Sequence, residues 1–233
     1  MIVFGKNVAK EVIDSKKEIK RVIISKNFDD KDILDYFLEN NIPIKRMDKR
    51  ELDNKYKGNN QGIVLEIEDF KYKDIKEIKD KNFIVMLDHL EDPHNLGAII
   101  RTCEAASVDA IIIPKRRGVE INSTVMKVSA GALNNIDIIE VSSLAQSIDK
   151  VKDYGFWVYG TDMENSINYT DIKYDKKTCL VIGSEGFGIS KLVSEKCDFI
   201  ISIPMTGKIN SLNASVAAGI VIYEVVRQKN LGE

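Results

Sequence analysis

The sequence predicts an α/β protein of two domains, the larger of which contains a mostly parallel sheet. From residue 83 onward, short and almost continuous apolar runs alternate with segments of helical period. Such runs are typical of parallel strands that helices cover on both faces. Before residue 70 a smaller alternation of helix and strand patterns occurs, and a stretch rich in lysine and acidic residues separates the two regions. We therefore expect domains at 1–69 and 83–233, joined by a charged linker at 70–82.

The smaller domain alternates helix and strand patterns over a length near the lower limit for independent folding. Apolar side chains recur at helical spacing over Lys6–Glu18 and Asp32–Asn40. Runs rich in β-branched or apolar residues at 21–25, 42–46 and 62–66 predict strands. The pattern indicates a small α/β domain.

The larger domain shows apolar strand patterns separated by helical ones. Strands are expected at Phe83–Leu87, Ala110–Ile113, Ile136–Val141, Phe156–Tyr159, Cys179–Ile182 and Phe199–Ile203. Helices are expected at Leu96–Ala106, Ser143–Asp153, Ile189–Lys196 and Ser211–Lys229. Because the strand patterns are apolar along their whole length, helices should cover both faces of the sheet.

Composition excludes several classes of protein. With 44% hydrophobic and 30% charged residues, the chain can build a core and is not intrinsically disordered. Its 34 basic and 36 acidic side chains give a net charge of −2, so a nucleic-acid partner would need a local basic stripe. No apolar stretch reaches the ~20 residues of a membrane helix, and the amino terminus lacks a signal-peptide pattern. Three scattered cysteines and two isolated histidines, His89 and His94, predict no metal site. We expect a cytoplasmic protein.

The first candidate site follows the strand at 83–87. Pro93 pre-sets a turn, and Asn95 occupies the position where an N-cap would begin the next helix. Gly97 leaves the first turn slim enough for another molecule to approach, and Arg101 lies on the second turn. Taken alone, the junction is better explained by an ordinary cap at Asn95 and a surface charge at Arg101.

The second candidate site is the glycine-rich loop after the strand at 179–182. Gly183, Gly186 and Gly188 separate that strand from a helix, as in loops that bind nucleotides. Their spacing matches neither G-x-G-x-x-G nor the G-x-x-x-x-G-K-[ST] phosphate loop. Glu185 would repel a phosphate and suits a cationic or hydroxyl-bearing ligand. The loop therefore indicates a ligand site without naming the ligand.

The third candidate site leads into the carboxy-terminal helix. Ser211, Asn213 and Ser215 could each cap this helix, and one of them would suffice. The following Ala217–Gly219 segment keeps the helix thin. This excess of small and polar residues indicates that a ligand or a second chain lies against the helix.

Together the three junctions resemble the signature motifs of the SpoU/TrmH class of SPOUT RNA methyltransferases. The matching segments are DPHNLGAIIRT, LVIGSEGFGIS and ISIPMTGKINSLNASVAAG, in that order. The first domain, opening VFGKNVAKEVI and closing NNQGIVLEI, resembles the small ribosomal-protein-like RNA-binding domain of the ribosomal RNA subgroup. The resemblance implies a trefoil-knotted catalytic domain, S-adenosylmethionine as cofactor, a homodimer, and methylation of a guanosine ribose 2′-hydroxyl in large-subunit rRNA.

The resemblance also implies roles for individual residues. Backbone and side chains around four positions would hold the adenosyl group: Thr161, Gly183, Ile203 and Leu212. Five residues would serve the reaction: Asn95, Arg101, Glu185, Ser211 and Asn213. Asn95 and Arg101 would complete a site at the dimer interface, Ser211 and Asn213 would orient the ribose or Arg101, and Glu185 would hold the loop or Asn95.

The role of Arg101 and the substrate both stay open. Arg101 could accept the proton of the ribose hydroxyl, or it could hold the adjacent phosphate and stabilise the developing alkoxide. Transfer RNA is the alternative substrate. A non-catalytic RNA- or ribosome-binding protein of the same fold and a dinucleotide-dependent oxidoreductase are the alternative functions, although the latter lacks G-x-G-x-x-G after the first strand.

Overall fold

The computed structural model describes residues 1–231, which divide into two compact units. Unit 1 comprises Met1–Lys71 together with Ile121–Asn134, and unit 2 comprises Tyr72–Glu120 and the chain from Asn135 onward. The sequence placed residues 121–134 in the second domain, and the structure differs on this point. The segment groups with unit 1 because buried Val125 and Met126 lie on a helix that contacts elements of that unit.

Unit 1 is a four-stranded sheet with helices. Its strands are β1 (Ile2–Phe4), β2 (Ile19–Ser25), β3 (Ile44–Met47) and β4 (Ile63–Ile67). They lie in the order β1-β4-β2-β3, in which β4 is antiparallel to β1 and β2, while β3 is parallel to β2. Its helices are α1 (Lys6–Asp14), α2 (Lys31–Glu39), α3 (Lys49–Lys55) and α5 (Ser123–Ser129), and β1, α3 and α5 were not predicted.

Unit 2 is built on a seven-stranded sheet. Its strands are β5 (Phe83–Leu87), β6 (Ala110–Pro114), β7 (Asp137–Val141), β8 (Trp157–Thr161), β9 (Ile167–Asn168), β10 (Thr178–Ile182) and β11 (Phe199–Ser202). They lie in the order β7-β6-β5-β10-β8-β11-β9, and each pairing is parallel. The predicted mostly parallel sheet is confirmed. The trefoil knot stays a prediction.

The helices of unit 2 differ most from prediction at their ends. They are α4 (Pro93–Ala105), α6 (Leu144–Asp153), α7 (Lys191–Ser194) and α8 (Ala214–Leu231). The helix expected from Ile189 is the single turn α7, because Ser190 and Ile189 still belong to the glycine-rich loop and its exit. The last helix begins at Ala214, three residues later than expected, since 203–213 is irregular.

The segment 70–82 is more structured than a solvated linker. Lys73 forms a parallel bridge with Ile139 beside β7, and Ile75–Ile78 forms a 3-10 turn. Ile78 is fully buried in the core of unit 2. The two isoleucines in a lysine-rich stretch therefore anchor the segment to the sheet edge.

The core of unit 2 is apolar on both sides of the central strands. Every residue of β5 and β10 is buried, as continuous apolar runs predict. Cys103 and Cys179 are fully buried within this unit. In residues 1–231, no helix has the length and apolarity needed to cross a bilayer.

Candidate active site

The three junctions meet at one edge of the sheet of unit 2. They follow β5, β10 and β11, which are parallel strands. The carboxyl ends of parallel strands lie at the same edge, where ligands of open α/β sheets bind. The loops after these strands are thereby brought together from positions up to about 120 residues apart in sequence.

A hydrogen-bonded cluster joins one side chain from each junction. Asn95 donates its side-chain amide to Glu185 Oε1 at 2.9 Å, and Asn213 donates to Asn95 Oδ1 at 2.9 Å and to the same Glu185 oxygen at 2.5 Å. The backbone N–H of Ala214 also donates to this oxygen at 3.3 Å. We call Asn95, Glu185 and Asn213 the polar triad. It fixes the three junctions relative to one another.

Asn95 is not the N-cap of α4. Asp92 holds that position, where its carboxylate accepts a hydrogen bond from the backbone N–H of His94 at 2.9 Å, and Pro93 is the first helical residue. The same bond lowers the pKa of the Asp92 carboxyl. Asn95 lies in the first turn and is buried. Because Asp92 caps the helix, the Asn95 side chain is available for the triad. The capping interpretation of Asn95 was therefore wrong, and the helix begins three residues earlier than expected.

Asn213 serves both the triad and its own helix. Its Oδ1 accepts hydrogen bonds from the backbone N–H groups of Ser215 and Val216, at 3.0 and 3.4 Å, and from the Ser215 hydroxyl at 2.5 Å. These bonds make Asn213 the cap of α8, while its amide nitrogen is used by the triad. Ser211 takes no part in this capping and is exposed.

A cleft of about 490 Å³, which we call the large cleft, lies beside the triad. Its lining includes all four positions expected to hold an adenosyl group together with Ser211 and Glu185: Thr161, Gly183, Ile203 and Leu212. The cleft is also lined by apolar Ile182 and Val221 and by the carboxylates of Asp162 and Glu164. Among the described residues no lysine or arginine lines it. The large cleft suits a partly apolar ligand with positive charge.

Gly183 is required by its own loop. A Cβ at this position would overlap the backbone of Gly188 and Ile189, because the loop folds back until Ser184 and Gly188 exchange backbone hydrogen bonds at 3.1 and 3.2 Å. The Gly183 N–H donates to the Thr161 hydroxyl at 3.4 Å, and that hydroxyl donates to the Val181 carbonyl at 3.1 Å. Gly183 thus closes the loop that forms the cleft wall.

A second cleft of about 450 Å³, which we call the small cleft, shares the Ser184–Gly188 loop with the large one. Its lining includes Asn95, Glu185, His89 and Phe187. Glu185 of the polar triad therefore borders both clefts. Such an arrangement can hold two ligands, both of them next to Glu185.

Arg101 does not join the other candidate residues. It is exposed, and no hydrogen bond or ion pair engages its guanidinium within residues 1–231. Six positions turn an α-helix by about 600°, so Arg101 points about 120° away from Asn95 and lies about 9 Å further along α4. Arg101 lines neither cleft.

Two features of the site were missed by sequence reasoning. Asp88 is buried and accepts a hydrogen bond from the backbone N–H of Ser190 at 2.7 Å, while its other oxygen lies 2.5 Å from His89 Nδ1. Phe187, at the tip of the glycine-rich loop, is 91% exposed. A carboxylate directly at the end of a strand and an aromatic between two glycines were the available signals. Within residues 1–231 no group of three or more His, Cys, Asp or Glu could hold a metal ion.

Comparison with known proteins gives two family matches. Residues 82–223 match the SpoU rRNA Methylase family, and residues 2–73 match a family described as RNA 2′-O ribose methyltransferase substrate binding. The chain is 42% identical over 240 residues to a Staphylococcus haemolyticus protein whose name assigns it to the TrmH family of tRNA/rRNA methyltransferases. That alignment covers 99% of this chain and 96% of the relative.

Two solved structures share the fold. The SpoU methyltransferase AviRb from Streptomyces viridochromogenes, in complex with its cofactor AdoMet, aligns with a TM-score of 0.80 and 24% identity, covering 100% of this chain and 91% of that one. A TrmH/SpoU tRNA modifying enzyme from A. aeolicus aligns with a TM-score of 0.60 and 32% identity, covering 68% of this chain and 83% of that one.

Proposed function

The chain belongs to the SpoU rRNA methylase family of RNA methyltransferases, and we propose that it methylates the ribose 2′-hydroxyl of a guanosine in large-subunit rRNA. The observation that carries this proposal is the polar triad, in which Asn95, Glu185 and Asn213 connect the three motif-bearing junctions beside the large cleft. The substrate-binding match over residues 2–73 supports RNA as the partner of the first unit.

The large cleft fits S-adenosylmethionine by size and charge. Its volume of about 490 Å³ lies within the range of small-molecule sites. The sulfonium and ammonium groups of this cofactor are cationic, and Asp162, Glu164 and Glu185 supply the carboxylates. Ile203 and Leu212 offer apolar surface for the adenine ring. When bound, S-adenosylmethionine supplies a methyl group that the sulfonium charge activates.

The protein must hold a ribose hydroxyl in line with that methyl group and ease the loss of its proton. Asn95 and Asn213 are held by Glu185, so their positions are set before substrate arrives. Ser211 is exposed on the wall of the large cleft, where its hydroxyl can donate to a ribose oxygen. These three side chains would position the ribose.

Arg101 would enter the site from a second copy of the chain. Within one chain it is turned away from the triad, while a symmetric dimer can place it beside the partner's triad. On α8, Val216 and Tyr223 are 49% and 51% exposed and share a helix face with half-buried Ile220. Because α8 contacts α4, the helix of Arg101, a dimer formed on this apolar face would bring Arg101 close to the interface.

Transfer RNA is the second candidate substrate. The 32% identity to the A. aeolicus tRNA modifying enzyme favours this substrate. The match of residues 2–73 to a substrate-binding family concerns a part of the chain outside the catalytic region. The two substrates share the same methyl-transfer chemistry, so the catalytic residues do not separate them.

Incubation of the full chain with methyl-labelled S-adenosylmethionine and unmodified RNA tests the proposal. Large-subunit rRNA and tRNA transcripts are offered separately, and the modified nucleoside is identified by mass spectrometry. We expect 2′-O-methylguanosine in rRNA. Label confined to tRNA would favour the second candidate. Cofactor binding without transfer to either RNA would instead indicate a non-catalytic RNA-binding protein.

A further inference from the structure

The proposed function assigns no ligand to the small cleft, although four residues line both clefts: Ser184, Glu185, Phe187 and Gly188. It shares the wall formed by Ser184–Gly188, and Asn95 and Glu185 lie in its lining. A molecule in the small cleft would therefore contact two members of the polar triad. If a ribose is presented to the triad, the small cleft offers adjoining space for the base attached to it.

Phe187 lies at the rim of this cleft, and its aromatic ring is exposed. It stands between Gly186 and Gly188, whose φ angles are +77° and +63°, on a loop closed by the paired backbone bonds of Ser184 and Gly188. The side chain is 91% exposed, although the loop that carries it is tightly turned. Exposed aromatic side chains near RNA sites serve as surfaces on which unpaired bases stack.

His89 forms a second planar group of the lining, in a fixed orientation. Its Nδ1 lies 2.5 Å from the buried carboxylate of Asp88, which leaves Nε2 for a ligand. The backbone of His89 has a φ of +55°, a left-handed conformation that is uncommon for residues other than glycine. Asp88 also accepts a hydrogen bond from the backbone N–H of Ser190 at the end of the glycine-rich loop. The same carboxylate therefore contacts both His89 and the end of that loop.

The charges of the small cleft favour a base over a phosphate. Glu91, Asp92 and Glu185 line it, and among the described residues no lysine or arginine does. Glu91 is exposed and has no hydrogen-bond or ion-pair partner within residues 1–231. A free carboxylate accepts hydrogen bonds from the donor edge of a base. Guanine presents two adjacent donors, its N1–H and its 2-amino group, whereas uracil presents a single N–H.

We propose that the small cleft binds a guanine base of the RNA substrate, stacked on Phe187, with the carboxylate of Glu91 accepting hydrogen bonds from its donor edge. This inference rests on the proposed function for the presence of RNA at the triad. It assigns Phe187 and Glu91 as residues that select the nucleotide. Phe187 lines both clefts, whereas Glu91 lines the small cleft and not the large one. His89, held by Asp88, lines the same cleft and limits the orientation of the base.

Binding of short single-stranded oligoribonucleotides to the full chain tests the inference without requiring methyl transfer. One probe contains uridine alone, and the other carries a single central guanosine in the same background. We expect tighter binding of the guanosine probe by the wild-type chain. Phe187→Ala and Phe187→Leu should each weaken that binding about 10- to 100-fold, the scale of one stacked base, while Phe187→Tyr retains it. Leu192→Ala, which removes another exposed side chain outside both clefts, is the matched control and should change nothing.

Glu91→Gln separates base reading from stacking. It should reduce the preference for the guanosine probe and leave binding of the uridine probe unchanged. Wild-type-like binding by Phe187→Leu would overturn the stacking role, because leucine keeps the apolar surface and lacks the plane. Because Phe187 also lines the large cleft, weaker S-adenosylmethionine binding by Phe187→Ala with unchanged binding of the guanosine probe would assign this ring to the cofactor instead. Equal or absent binding of the two probes by the wild-type chain would overturn the inference, even if the methyl-transfer assay succeeds.

Discussion

Asn95 and Glu185 lie 90 positions apart in sequence, and the side-chain amide of the first donates to Oε1 of the second at 2.9 Å. Asn213 donates to both, so the three side chains depend on one another for their positions. Residues that act as a unit show losses that do not add. We therefore expect Asn95→Ala and Glu185→Ala each to slow methyl transfer at least ~10-fold, and the double variant to be little worse than the slower single one. Losses that multiply in the double variant would show that the two side chains act independently.

Gly183→Ala tests whether the glycine-rich loop forms the cofactor site. A Cβ at this position overlaps the Gly188 backbone, so the loop must open and the wall of the large cleft must move. We expect at least a ~10-fold loss of S-adenosylmethionine affinity by calorimetry, equivalent to about 1.4 kcal/mol. Gly207→Ala is the control, because a Cβ there meets no atom within 4 Å. Unchanged affinity in Gly183→Ala would place the cofactor elsewhere.

Arg101→Ala should separate cofactor binding from methyl transfer. Arg101 lines neither cleft of its own chain, so S-adenosylmethionine affinity should stay within about twofold of wild type. Methyl transfer should fall at least ~100-fold, the scale for losing a positioned charge or proton-transfer group.

Arg101→Lys then distinguishes the two roles of this residue. A lysine keeps the charge but loses the planar fork, and its pKa shifts more readily. Residual activity that rises steeply with pH would indicate a proton acceptor, and flat residual activity would indicate stabilisation of charge. Wild-type activity in Arg101→Ala would leave Arg101 as a surface charge.

The proposed dimer predicts complementation between two inactive variants. If Arg101 acts on the partner's triad, a heterodimer of Arg101→Ala and Asn213→Ala holds one site with both residues intact. Random mixing should therefore restore about a quarter of wild-type activity. Val216→Asp, on the exposed face of α8, should yield monomers by light scattering and abolish the restoration. A wild-type chain that is monomeric at micromolar concentration would contradict the dimer.

The three cysteines should be unreactive in the native protein at pH 8. Burial raises the pKa of the Cys103 and Cys179 thiols, and it raises the pKa of Cys197 to about 12. All three thiols therefore stay protonated well above the value of about 8.5 for an unfolded cysteine. A thiol reagent should label three groups per chain in urea and almost none in buffer.

The same shifts set the direction of a stability change with pH. Above about pH 8.5 the unfolded chain releases these protons while the folded chain keeps them. The contribution of the thiols to the free energy of unfolding is therefore fully present below about pH 8.5 and decreases as pH rises above it. Denaturant unfolding at pH 8 and pH 10 measures the loss. Faster native labelling of Cys197 than of an unfolded cysteine would contradict its raised pKa.

The sequence alone determined the elements whose patterns are local. β5 lies at Phe83–Leu87, as its apolar run predicts, and β10 differs from its prediction by one residue, because a strand buried on both faces is apolar at every position. The three junctions were found for a related reason, since each is a short motif directly after an apolar strand pattern.

The tertiary structure decided the features that depend on distant partners. Residues 121–134 join unit 1 because the face of α5 is buried there, which the short helical pattern itself does not encode. Asp92 and Asn95 are both competent caps, and only the arrival of Glu185 and Asn213 gives Asn95 a different partner. His89 is an ordinary loop residue in sequence and becomes part of a cleft through buried Asp88. Periodicity reports which face of an element is apolar, whereas these contacts depend on how parallel strands bring separate loops to one edge of a sheet.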